Sequence, residues 1–179
     1  MVDLFWQNFF RKDLQETQIH ELLKNCYLFE GLSRREIKFL RSNVHIRDYK
    51  PGEFIFKQGD LGVGMYIVLK GHINIYVEDR SSEEPEAQVI TNLKEGDFFG
   101  ESALVDSNEK RTASALAQDQ VRCVGFFKPD LFEIIERNPS TGVKIVLRLC
   151  EVLGRRLKET GHKITELRKE IQLIAQQSE

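Results

Sequence analysis

The chemistry-bearing stretch of this chain is residues 96–117, G-D-F-F-G-E-S-A-L-V-D-S-N-E-K-R-T-A-S-A-L-A. Glu101 follows Gly100 and opens Ser-Ala-Leu. Arg111 comes after a gap of nine residues, at the head of an apolar, β-prone run. A glycine followed by the first turn of a short helix presents backbone N–H groups at the positive end of a helix dipole, where anions bind. Arg111 adds a permanently charged guanidinium whose fork fits two phosphate oxygens. A carboxylate such as Glu101 repels a phosphate but accepts well from a hydroxyl, so its natural partner is a sugar. Together these groups describe a ribose-phosphate site. The same residues also describe an exposed ion pair worth ~0–1 kcal/mol. Residue types alone favour that plainer reading.

The elements that must position these residues follow from the period of the apolar positions. Residues 3–26 are expected to be helical, in two pieces. Leu4, Phe5, Trp6, Phe9 and Phe10 cluster on one side of the first. Thr17 is expected to cap a second piece carrying Ile19, Leu22 and Leu23. Ser33 and Glu36 form a capping box that starts a helix through Ser42. From Val44 the period changes to near two, and strands are expected at 44–49, 53–57, 64–69, 72–78, 87–93, 111–117 and 121–127. Glycine turns separate them, and a polar hairpin loop spans 79–86. Short strands at this spacing argue for an antiparallel sandwich or barrel. Lys128-Pro129-Asp130 opens a further helix that Asn138-Pro139 ends. The fold class is α+β, with N-terminal helices over 1–42, a β-roll and its following helix over 43–138, and a long helix over 139–179.

The last helix, expected over 140–175, carries a second pattern. Val143, Cys150, Leu157, Ile164 and Ile171 recur every seven residues, as do Val146, Leu153, Thr160, Leu167 and Ile174. Nine of these ten are apolar. That is coiled-coil patterning, and it predicts a homodimer through the C-terminal helix. Leu147 and Leu149 widen the apolar face at the start of the helix, where it is expected to pack on the β domain. Lys163 opposite Arg168 is mildly repulsive in a parallel pair. Gly154 and Gly161 each lower helix propensity by roughly 1 kcal/mol relative to Ala.

The segment F-G-E-S-A-L…K-R-T-A-S-A resembles the phosphate-binding cassette of cyclic-nucleotide-binding domains. The resemblance extends over about residues 20–160 and includes P-G-E-F-I-F-K-Q-G-D and M-Y-I-V-L-K-G-H-I-N-I-Y. It implies a β jelly roll flanked by helices. It implies that Glu101 holds a ribose 2′-OH and Arg111 a cyclic phosphate. Gly100, Ser102 and Ala103 supply backbone contacts, and Thr112 and Ala113 complete the phosphate shell. Lys110 replaces the proline that many members carry before the arginine, at a cost in loop rigidity. Thr112 looks like members that accept cGMP as well as cAMP. Val63, Val89 and Leu104 are candidates for the base wall, and Arg148, Val152 and Arg155 for the lid. In the bacterial regulators this resembles, a helix-turn-helix domain follows the long helix. The 179 residues here leave no room for one, so the expected chain is either not a transcription factor or a fragment of one.

Composition narrows the alternatives. The formal net charge is −2, against a general nucleic-acid binder. Three scattered cysteines, Cys26, Cys123 and Cys150, give no disulfide framework and are expected as small buried hydrophobes in a reducing compartment. No apolar run approaches ~18 residues, and the N-terminus lacks a secretory pattern, so a cytoplasmic protein without a membrane span is expected. His45 and His72 are the histidines in the roll, without the H-x-H spacing of a metal-dependent cupin, and His162 with Glu166 is an isolated helical pair. No catalytic residues, metal or cofactor are therefore expected. The expected function is a non-enzymatic cAMP or cGMP sensor, relaying to its dimer interface or to an unidentified protein partner. The alternative is a dimeric scaffold on the same fold that no longer binds ligand.

Overall fold

In the computed structural model, residues 14, 16–78, 87–106 and 110–177 are described. The expected aromatic cluster at residues 4–10 and the 79–86 loop lie outside them. The helices are α1 (residues 16–25), α2 (Arg34–Arg41), α3 (Lys128–Arg137) and α4 (Pro139–Gln177). The strands are β1 (His45–Tyr49), β2 (Phe54–Phe56), β3 (Gly64–Lys70), β4 (Ile73–Glu78), β5 (Ala87–Leu93), β6 (Phe98–Phe99), β7 (Ser114–Ala117) and β8 (Val121–Phe127). They form two four-stranded sheets, ordered β1-β8-β3-β6 and β2-β7-β4-β5, with every pairing antiparallel. This is the jelly roll flanked by helices.

Strand alternation explains the layering. On β3, Met65 and Ile67 join the helix-side core with Val124 and Phe126 of β8, while Tyr66 and Val68 join the core between the sheets. Successive residues of a strand point to opposite faces, so a strand buried on both sides is apolar throughout. Ile19 and Leu23 of α1, Ile37 and Leu40 of α2, Leu131 and Ile134 of α3, and Ile145 and Leu149 of α4 cover the first sheet. The Ser33–Glu36 capping box forms as expected. Glu36 also accepts from Thr141 Oγ1 at 3.0 Å and Lys144 Nζ at 2.9 Å, tying α2 to the start of α4. Those donors hold its carboxyl down at about 2, the Lys144 hydrogen bond contributing most. At the α3–α4 corner, a Cβ on Gly142 would meet the Ile135 Cα at 2.8 Å, so the close crossing requires glycine there.

Four expectations are corrected. Thr17 lies inside α1, which is already helical at residue 16, so it is not the cap. The sixth expected strand begins at Ser114 rather than 111, and β6 appears where no strand was expected. Leu147 is 59% exposed while Leu149 is sealed, so only one of the pair packs on the domain. Cys26 and Cys123 are buried, and burial pushes their thiols up to about 11 and about 12, but Cys150 is exposed on α4. No helix among the described residues is long and apolar enough to cross a membrane.

Candidate functional site

Gly100 holds φ +75°, a left-handed conformation, and a Cβ there would sit 2.5 Å from Arg111 Nη1. Glycine is therefore required on two counts, backbone and close approach. The chain then makes one 3-10 turn over Glu101–Leu104. That turn buries Glu101 to 2% exposure and Ala103 to 1%. The site is thus a glycine elbow and a single turn, as the sequence suggested, with 3-10 rather than α geometry.

Arg111 approaches from the other side of a loop and is 7% exposed. Its backbone is clipped to the turn after β2: Arg111 N donates to Asp60 O at 2.8 Å, and Gly59 N donates to Arg111 O at 2.8 Å. Its guanidinium donates from Nη1 to Gly100 O at 3.0 Å and from Nη2 to Gly64 O at 2.6 Å. Carbonyl acceptors at two of its nitrogens hold this buried guanidinium in place, and a guanidinium keeps its charge at any working pH.

These residues line a cavity of about 610 Å³. All seven residues of the expected cassette border it: Gly100, Glu101, Ser102 and Ala103 on one wall, Arg111, Thr112 and Ala113 on another. Apolar residues complete it: Phe56 of β2, Ile75 of β4, Ile90 and Leu93 of β5, and Phe98 and Phe99 of β6. An apolar pocket of this size with a few convergent polar groups is the usual form of a small-molecule site. Among the described residues, no group of three or more His, Cys, Asp or Glu that could hold a metal ion is found.

The expected base-wall residues do not line it. Val63 and Val89 are each 51% exposed, and Leu104 is buried in the helix-side core. The reason on β5 is a bulge. Ile75 pairs with Thr91 and Tyr76 with Val89, leaving Ile90 as the extra residue. A bulge shifts the in–out parity by one, so Ile90 faces the cavity in place of Val89.

The lid side also differs. Arg148 pairs with Glu30 and Glu151, Val152 is buried in the domain, and Arg155 lies over the Tyr27 ring. Arg156 and Thr160 border the cavity instead. Arg156 Nη1 lies 2.7 Å from Glu101 Oε1, and Nη2 lies 3.5 Å from the Phe98 carbonyl. One turn of α4 thus reaches the cassette carboxylate directly. Nothing in the sequence singles out Arg156 from Arg155. A step of one residue turns a helix by ~100°, and the phase of α4 against the roll is set by Ile145 and Leu149.

Residues 46–138 match the profile of the cyclic nucleotide-binding domain family. The Cyclic AMP receptor protein of Thermus thermophilus is 33% identical over 137 residues, covering 76% of this chain and 60% of that protein. A CRP-like cAMP-activated global transcriptional regulator of Mycobacterium tuberculosis is 28% identical over 147 residues, covering 82% and 62%. Among solved structures, the Thermus thermophilus Catabolite Activator Protein superposes with a TM-score of 0.69 at 30% identity, covering 79% of this chain and 62% of that one. A cyclic nucleotide-binding domain from Methylobacillus flagellatus gives 0.70 at 24% identity, covering 85% and 83%, which bears on the fold alone. The chain spans about 60% of the length of the curated relatives it matches.

Proposed function

This chain belongs to the cyclic nucleotide-binding domain family, and we propose that it is a non-enzymatic sensor of cAMP or cGMP. The observation that carries this reading is the juxtaposition of Glu101 and Arg111, both nearly sealed from solvent, on the walls of one cavity. Arg111 offers a forked cation to the cyclic phosphate, and Glu101 accepts from the ribose 2′-OH. Gly100, Ser102, Ala103, Thr112 and Ala113 frame the phosphate, and Ile75, Ile90 and Leu93 supply apolar walls for the purine. The Thermus and Mycobacterium relatives are named for cyclic AMP. Here Thr112 and Thr160 both border the cavity, and their hydroxyls can serve either purine.

The output runs through α4. Arg156 is tied to the carboxylate that the ribose needs, so nucleotide in the pocket rewrites that ion pair and with it the seating of the helix. A ligand shifts such an equilibrium only by its difference in affinity for the two seatings. The exposed ridge of Leu157, Ile164, Ile171 and Ile174 carries the change to a second copy of the chain, giving a homodimer that reports ligand to a downstream protein.

The test is Arg111→Ala. Losing a forked, charge-assisted contact costs about 3 kcal/mol, so nucleotide affinity is expected to fall by at least about 100-fold. Circular dichroism confirms that the variant is folded. Unchanged affinity in a folded Arg111→Ala protein overturns the assignment of this pocket.

A further inference from the structure

Phe56 ends β2 beside a break in strand register. Phe54 pairs with Leu116 and Phe56 with Ala115, so β2 uses one residue more than β7. Such a bulge bends the strand and re-aims its side chains. The Phe56 ring is aimed at Arg111, whose guanidinium carbon lies 4.1 Å from the ring centroid. Behind it stands a block of aromatic residues. Phe56 is 5.7 Å from Phe99 and 6.2 Å from Tyr66, and the latter two stack at 5.6 Å. Tyr66 and Phe99 are themselves buried in the core between the sheets.

A ring face attracts a cation through its quadrupole, and this attraction consumes no N–H donor. An aliphatic side chain at position 56 fills the same space without that attraction. The Gly64 and Gly100 carbonyls accept from the guanidinium's nitrogens at its edge and help fix where it points. The ring lies against its face and acts on the tilt of the guanidinium plane.

We infer that Phe56 is a positioning residue for the phosphate end of the pocket: its ring face holds the Arg111 guanidinium flat in one plane before an anion arrives. The ligand then does not have to order that side chain, and preorganisation of this kind appears as affinity. The inference rests on the reading of the pocket as a cyclic-nucleotide site, and two measurements keep the two apart.

The first measurement needs no ligand. Arginine side-chain NMR signals of nucleotide-free protein are expected to show Arg111 shifted upfield by the ring current in the wild type and in Phe56→Tyr. The shift is lost in Phe56→Leu. The second is binding of cAMP and cGMP. Phe56→Leu is expected to weaken affinity about tenfold, the equivalent of about 1.4 kcal/mol. Phe56→Tyr is expected to restore it to within about twofold. Fluorinated phenylalanines at position 56 keep the shape and drain the ring face, so they are expected to lose affinity in proportion to fluorine number. A purely structural role for Phe56 does not produce that gradient. Unshifted Arg111 signals in the wild type, or equal affinity across the fluorinated series, overturn the inference. Absence of nucleotide binding by the wild type overturns the sensor reading instead, and the arginine signals then decide alone whether Phe56 holds Arg111.

Discussion

In the first half of α4, Ile145, Leu149 and Val152 are sealed against the rest of the molecule, whereas in the second half Leu157, Ile164, Leu167, Ile171 and Ile174 all lie open to solvent. The seven-residue spacing of apolar positions runs through both halves, Thr160 excepted. In the first half the apolar residues divide between two surfaces: one set enters the helix-side core, and Val143 and Leu147 remain outside. In the second half, the seam residues join neither apolar core among the described residues. A heptad pattern therefore runs unbroken through two environments, and the pattern alone does not tell them apart. The junction between them is where the pocket is touched. Arg155 lies 4.6 Å over the Tyr27 ring, on the N-terminal side, while Arg156 reaches Glu101 in the cavity.

The largest effect separates the halves directly. Leu149→Ala is expected to destabilise the fold by about 3 kcal/mol in denaturant unfolding, the usual range for a sealed leucine. Ile164→Ser with Ile171→Ser is expected to leave the unfolding of the roll within about 0.5 kcal/mol, because these side chains leave water only in a dimer. Light scattering is expected to give a dimer mass for the wild type and a monomer mass for this double variant. A wild-type monomer at high concentration breaks the comparison, since the second half then has no partner.

A smaller effect lies at the junction. Nucleotide is expected to slow hydrogen exchange along 153–165 in the wild type and in Arg155→Ala, but not in Arg156→Ala, which lacks the link to Glu101. Equal protection in all three proteins sinks the relay through Arg156.

The smallest effect is in acid. Glu36 has its carboxyl held well below its ordinary 4.5, at about 2, chiefly by Lys144. A depressed carboxylate contributes stability above its unfolded value, and that contribution is lost as pH falls from 4.5 through about 2. Stability is expected to decline across that window, and Glu36→Gln to flatten part of the decline. An identical acid profile in the variant contradicts the anchoring of α2 to α4.

The strands were legible because alternation and glycine turns fix period and punctuation, and the Ser33 capping box carried its own start signal. Phe98–Phe99 was not legible as a strand, since two residues beside Gly96-Asp97 look like part of the turn and gain their status only by pairing with Tyr66 and Ile67. Arg111 looked like the start of a strand. It is instead a clip onto Asp60, and regular pairing begins at Ser114. The cassette residues share one local segment, so the sequence could bring them together. The part of the base wall on β5 could not be read, because the bulge at Ile90 shifts the in–out parity of the residues before it, Val89 among them. Phe56 and Arg156 come from elements 55 and 45 positions from Arg111 and depend on how β2 and α4 are laid against the cassette.

The central claim is that the cavity between the Gly100 elbow and α4 takes a cyclic nucleotide. Calorimetric titration of folded, nucleotide-free protein with cAMP and then cGMP tests it most directly. Saturable heat is expected with at least one of them, with a Kd of about 1 μM or below. No heat with either nucleotide, on protein shown to be folded and free of ligand, contradicts it.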